Sequence, residues 1–240
     1  MFLSDHWIEV SDRIDRFVRV QGIENFLKCR DIRGNMVQVL DKIYEKDMEY
    51  LKQYLSDELI ERFIKGYLPD ERYNPIHHLY ILMNYINKKK FENIESIVEW
   101  GGGYGSLARI IQKFKPQVKY TIIDLPIMSK IQSWYLKNET NIKFIDIDRL
   151  QKSHRMPKCD LFISTWALTE CTKEAWEFVM RKQFFGARKF LFGYLLTWPT
   201  SELLEIEFKK WPNVWIQHMP SMEWFSGTHN SNDLNRFLFI

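Results

Sequence analysis

Cysteine is scarce in this chain. There are three in 240 residues, Cys29, Cys159 and Cys171, an odd number with no C-x-x-C pair. That excludes a disulfide framework and a zinc site built on cysteine pairs, and it leads to the expectation of a reducing, cytoplasmic setting. Long apolar runs are missing as well, so no membrane span is expected. The opening residues, Met1-Phe2-Leu3-Ser4-Asp5-His6, lack the basic start and apolar stretch of a secretion signal. Neither sign of charge dominates: 34 basic against 31 acidic residues leave a net charge of +3, too little to argue for nucleic acid or an anionic membrane as partner. Repeats and low-complexity tracts are absent too. What remains is a chain 45% hydrophobic and 27% charged, the composition of a folded protein with length for one domain and an appendage.

Residues 1–92 read as helical. Ile14, Phe17 and Val18 follow i, i+3, i+4 spacing, and Leu40, Ile43, Tyr44, Leu51, Tyr54 and Leu55 continue it. Ser56 followed by Asp57 and Glu58 is an N-cap with acids in the first turn, and Lys65-Gly66 is a stop. Asn74-Pro75, a cap and a proline at the first helical position, opens a helix that runs to a basic, solvated end at Lys88-Lys89-Lys90. His77 and His78 are adjacent in it and point to different faces, which argues against a metal pair.

From Ile94 the pattern changes to strands alternating with helices. Strands are expected over 96–99, 118–123, 142–145, 160–163, 189–194, 214–218 and 236–240, and helices over 106–114, from 126 onward, 173–183 and 201–210. The polar stretch 220–234 holds no helix, so the last two strands are expected to form an antiparallel hairpin. The fold class is therefore α/β: a Rossmann-like, seven-stranded, mostly parallel sheet in residues 93–240. The helical region over 1–92 either caps the cleft or mediates a homodimer.

The chemistry concentrates at strand ends. Glu99-Trp100-Gly101-Gly102-Gly103-Tyr104-Gly105 is a strand end, a glycine turn and a helix start. Ser106 stands where a dinucleotide fingerprint has its third glycine, and Glu99 puts a carboxylate where a pyrophosphate would be repelled. A ligand carrying positive charge suits the turn better. Asp124, about twenty residues on at the end of the second strand, is placed to accept hydrogen bonds from ribose hydroxyls. Asp146 and Asp148 close the third strand, as an adenine contact or as turn residues. Ser164-Thr165-Trp166-Ala167-Leu168-Thr169-Glu170 follows the fourth strand, beside the glycine turn. Tyr104, Trp166, Trp198 and Trp224 fall in strand-end loops, where aromatic faces stack on adenine or sugar, or simply pack.

Three of these segments, Glu99 to Gly105, Tyr120-Thr121-Ile122-Ile123-Asp124-Leu125-Pro126 and Ser164 to Glu170, together resemble the sugar O-methyltransferase family of the class I S-adenosylmethionine-dependent methyltransferases. The likeness covers 94–240 well and the helical part loosely. It implies S-adenosylmethionine as cofactor, held by Glu99, Gly101, Gly102, Gly103, Tyr104, Gly105, Asp124 and Leu125, with Asp146 and Ser164 beside them. It also implies methyl transfer to a small-molecule or glycan hydroxyl, with a sugar in polysaccharide assembly as the first expectation. Another small hydroxylated metabolite, or a non-catalytic binding subunit, remains open. An alcohol is a weak nucleophile, so a general base is expected. His229, in the Gly227-Thr228-His229-Asn230 loop, is the first candidate and Glu170 the second. No metal-ligand spacing is diagnostic.

Overall fold

Alternation along the strands decides the layering. In a strand, neighbouring side chains point to opposite faces, and here both sets are apolar. Ile97, Tyr120, Ile122, Leu161, Ile163, Leu191, Phe237 and Phe239 belong to one buried cluster. Val98, Trp100, Ile123, Phe162, Phe190, Phe192 and Leu238 belong to another. A sheet apolar on both faces must be covered on both, which is the condition for parallel strands with helical crossovers.

The computed structural model describes residues 2–37, 41–71, 73–153, 155–196, 200–218 and 235–240. Five helices come first: α1 (Asp5–Gln21), α2 (Arg30–Met36), α3 (Asp41–Leu51), α4 (Asp57–Ile64) and α5 (Asn74–Ile86). The sheet part then runs β1 (Ser96–Trp100), α6 (Ser106–Phe114), β2 (Lys119–Asp124), α7 (Pro126–Tyr135), β3 (Ile142–Asp146), α8 (Ile147–Lys152), β4 (Leu161–Thr165), α9 (Ala167–Glu170), α10 (Lys173–Arg181), β5 (Lys189–Leu195), α11 (Ser201–Phe208), β6 (Trp215–His218) and β7 (Asn235–Phe239). Strand order is β3-β2-β1-β4-β5-β7-β6. The first five strands pair in parallel, whereas β7 is antiparallel to both β5 and β6. This is the class I methyltransferase arrangement, terminal hairpin included. The order reverses between β1 and β4, so a crevice opens beyond their carboxyl ends. No helix among the described residues is long and apolar enough to cross a membrane.

The early helices do not stand apart. Val10, Ile14, Leu79 and Leu82 share one apolar cluster with Ile97, Ile110 and Ile131. Ser56 caps α4 as expected, its hydroxyl accepting from the Leu59 amide at 3.3 Å. The expected cap at Asn74 is corrected: Tyr73 occupies that place, and the Asn74 amide donates instead to the Met36 carbonyl and the Tyr104 hydroxyl, both at 2.8 Å. The lysines after α5 are also engaged. Lys88 lies 4.6 Å from the Trp215 ring centroid, and Lys89 donates to the Asn213 carbonyl at 2.7 Å.

Candidate active site

β1 delivers Glu99 to the crevice floor, where it is 1% exposed. Its Oε2 accepts a hydrogen bond from the Tyr120 hydroxyl at 2.9 Å. One neutral donor does not offset the lost hydration of a carboxylate, so burial raises its pKa to about 8, with Asp124 adding to the rise. Asp124, at the end of β2, accepts from the Leu125 amide and from Gln132 Nε2, both at 2.8 Å. Burial still pushes it up to about 7. Two carboxylates on one cavity wall are thus held above their ordinary range. A ligand bringing positive charge or hydroxyl donors would stabilise their ionised forms.

The glycine turn between β1 and α6 borders the same cavity through Gly101, Gly102, Gly103 and Tyr104. Gly101 and Gly103 sit at φ +75° and +55°. At Gly103 an added Cβ would approach nothing nearer than Met36 Sδ at 3.7 Å, so that face of the turn is open to a ligand. Tyr104 also ties the turn to the segment between α4 and α5: its hydroxyl donates to Glu71 Oε2 at 3.2 Å. Leu125 and Glu170 complete the expected set on the cavity wall. Glu170 Oε2 accepts from Trp7 Nε1 at 2.8 Å, and burial raises its pKa to about 7.

Three expected positions lie off the cavity lining. Asp146 does not line the cavity. Its Oδ1 caps α8, accepting from the Arg149 amide at 2.9 Å, and Ile147 forms the wall instead. Ser164 lies beneath the wall: its hydroxyl donates to the Trp100 carbonyl at 3.2 Å and accepts from the Leu168 amide at 3.0 Å. Gly105 faces inward, and a Cβ there would meet Leu136 Cδ1 at 2.7 Å. Asp146→Ala should therefore cost about 1 kcal/mol, the worth of a helix cap, and leave affinity for S-adenosylhomocysteine unchanged. Thermal unfolding and calorimetric titration check the two halves of that expectation. His229, Trp198 and Trp224 lie outside the described residues.

Other residues meet at or behind the wall without a sequence signal that put them there. Gln132 Nε2 bonds both the Gly103 carbonyl, at 2.7 Å, and Asp124, clamping the turn to the end of β2. Trp7 arrives from α1, 163 positions from its partner Glu170. His77 and His78 both line the cavity, their ring centroids 6.3 Å apart, rather than facing apart as their adjacency suggested. His77 Nδ1 lies 2.7 Å from Asp47 Oδ2. No group of three metal-ligating side chains gathers among the described residues.

Comparison with known proteins finds methyltransferases among those this chain is similar to. The model of an O-methyltransferase domain matches residues 75–182. Pluviatolide O-methyltransferase of Sinopodophyllum hexandrum is 34% identical over 87 residues, 36% of this chain and 22% of that protein. Myricetin O-methyltransferase of Catharanthus roseus is 32% identical over 89 residues, 35% of this chain and 23% of that one. The aligned part thus spans less than a quarter of each of these relatives. Among solved structures, the N-methyltransferase NodS of Bradyrhizobium japonicum WM9, in complex with S-adenosyl-L-homocysteine, superposes with a TM-score of 0.50 at 14% identity, over 83% of this chain and 97% of that one. At that identity the likeness is one of fold.

Proposed function

We propose that this chain is an S-adenosylmethionine-dependent O-methyltransferase acting on a hydroxyl of a small molecule. The observation that carries the reading is the wall shared by Glu99, Asp124 and the open face of the Gly101–Gly103 turn, beyond the carboxyl ends of β1 and β2. The donor set fits the cofactor. Glu99 answers its cationic methionine end, Asp124 its ribose hydroxyls, and Gly103 leaves room for close approach. When bound, S-adenosylmethionine supplies a methyl group already activated on sulfur. The chain's own task is to align an acceptor oxygen and keep water out.

The acceptor class follows from the rest of the wall. Trp7, Met36, Ile43, Trp166 and Leu195 make it largely apolar, and the relatives above are named for pluviatolide and myricetin. Both observations favour a compact, mostly apolar hydroxylated metabolite. The sugar reading rests on the motif resemblance alone.

Calorimetric titration with S-adenosylhomocysteine, with NAD as control, tests the cofactor. Transfer of labelled methyl to a panel of phenols and sugars then tests the acceptor. Binding of S-adenosylhomocysteine alone, followed by labelling of phenols, is the expected pattern. Binding without transfer to any acceptor points to the non-catalytic subunit, and no binding removes the assignment.

A further inference from the structure

With Asp146 spent on capping α8, the adenine amine of S-adenosylmethionine lacks its expected acceptor. Asp148 does not border the cavity either. An amine that leaves water without finding an acceptor weakens binding. Among the described residues, three carboxylates line the cavity, Glu99, Asp124 and Glu170. No lysine or arginine among them does, so a ligand group of positive partial charge suits this wall. Glu99 answers the methionine end and Asp124 the ribose. Glu170 is the carboxylate that neither end engages.

Its surroundings place Glu170 beside the β2 end of the crevice. The next residue, Cys171, accepts from Trp100 Nε1 at 3.5 Å. Trp100 shares one apolar cluster with Ile123, which precedes Asp124, and Ile147, which follows β3. Ile147 and Leu125 border the cavity and supply the apolar walls that a purine face needs. Burial pushes the Cys171 thiol up to about 12, and Glu170 and Asp124 both add to the rise. The two carboxylates therefore share one end of the cavity. Glu170 is also held in place. Trp7 Nε1 donates to its Oε2 at 2.8 Å and is its only donor among the described residues. A carboxylate has about four acceptor sites, so room remains for a second donor. The segment that carries Trp7 is anchored in turn. The Phe2 ring centroid lies 6.1 Å from that of Trp100 and 4.8 Å from that of Phe178, and the Thr172 amide donates to the Phe2 carbonyl at 3.3 Å. Leu3 packs against both apolar clusters, so the segment passes over the strand ends.

We propose that the Glu170 carboxylate accepts the exocyclic amine of the cofactor's adenine, and that Trp7, reaching over the strand ends from α1, positions it. The proposal rests on the methyl-transfer reading and gives Glu170 a binding role in place of a basic one. It also makes α1 part of the cofactor site. A purine carrying an amine brings two N–H donors to an acceptor. A purine carrying a carbonyl there sets oxygen against oxygen and is rejected.

Calorimetric titration of the whole chain with three ligands tests this. They are S-adenosylhomocysteine, its purine analogue without the amine, and its inosine analogue, in which a carbonyl replaces the amine. The wild type should bind the purine analogue about tenfold more weakly than S-adenosylhomocysteine, the scale of one hydrogen bond to a charged group. The inosine analogue should bind more weakly still. Glu170→Ala should bind S-adenosylhomocysteine and the purine analogue alike. Glu170→Gln, whose amide can donate, should bind the inosine analogue better than the wild type does. Trp7→Phe keeps a ring but loses the N–H, and should narrow the preference for the amine. Equal affinity of the wild type for S-adenosylhomocysteine and the purine analogue overturns the proposal. So does a Glu170→Ala that keeps the wild-type preference, whether or not it has lost turnover. Binding of none of the three ligands removes the methyl-transfer reading and this proposal with it. Equal binding of the first two leaves that reading standing, so the two failures are distinguishable. Should Glu170→Ala lose its thermal transition, Glu170→Gln decides: wild-type ratios for all three ligands in that variant overturn the proposal.

Discussion

Gly103→Ala should fold and lose the cofactor, whereas Gly101→Ala should lose stability first. The two residues are two positions apart in one turn, and both lie at positive φ, so an alanine at either carries the same backbone strain of about 1–2 kcal/mol. Their surroundings differ. A methyl group at Gly101 would overlap the Ala167 side chain, which is anchored at the start of α9. One at Gly103 would point into the cavity with only Met36 near it. Forcing β1 away from α9 adds an overpacking cost of about 1–3 kcal/mol. At roughly 2–4 °C per kcal/mol for a chain of this size, Gly101→Ala should melt about 10 °C below the wild type, and Gly103→Ala only a few degrees below. In calorimetric titration, Gly103→Ala should bind S-adenosylhomocysteine about tenfold more weakly or worse, because its methyl group takes space the ligand needs. Equal melting temperatures would refute the packing account of Gly101. Unchanged affinity in Gly103→Ala would remove the turn from the binding site.

Glu99→Gln should stabilise the ligand-free protein at alkaline pH and cripple its binding of S-adenosylmethionine. Burial raises this carboxyl from an ordinary 4.5 to about 8. Between those values the folded chain holds a proton that the unfolded chain has released, so stability falls as pH rises through the window. Asp124, raised from 3.8 to about 7, acts with the same sign. Glutamine cannot ionise, so the variant should not show Glu99's share of that decline, and its melting temperature above about pH 8 should exceed the wild type's by several degrees. A cationic ligand reverses the balance, because it needs the carboxylate. Wild-type protein should therefore release protons on binding near neutrality, visible as a dependence of calorimetric heat on the buffer's ionisation enthalpy. Glu99→Gln should bind about 1–3 kcal/mol more weakly with less proton release. Wild-type affinity in the variant would show that Glu99 serves the fold alone.

Sequence by itself determined the order of elements and where a ligand crevice opens. Apolar residues at both parities of each strand required a sheet covered on two sides. The helix-poor stretch before the last strand required a hairpin rather than a crossover. Glu99, the glycines and Asp124 sit at strand ends by chain position alone, and the crevice of such a sheet is always at those ends. All of these are local or periodic signals, carried within a few residues or by one strand–helix unit.

Tertiary structure decided what those signals could not reach. Whether Asp146 meets a ligand or caps α8 depends on which way one side chain turns at a helix start, and here its Oδ1 accepts from the Arg149 amide. Ser164 stands beside the glycine turn by chain position, but strand parity puts its hydroxyl under the wall, on the Trp100 carbonyl. Trp7, Asp47 and His77 come from helices whose packing over the sheet no periodicity specifies. Trp7 and Glu170 meet across 163 positions, and His77 and Asp47 across 30. A periodic pattern states which face of a helix is buried. Only the packed core states what that face is buried against, and so which side chains of the early helices come to line the cavity.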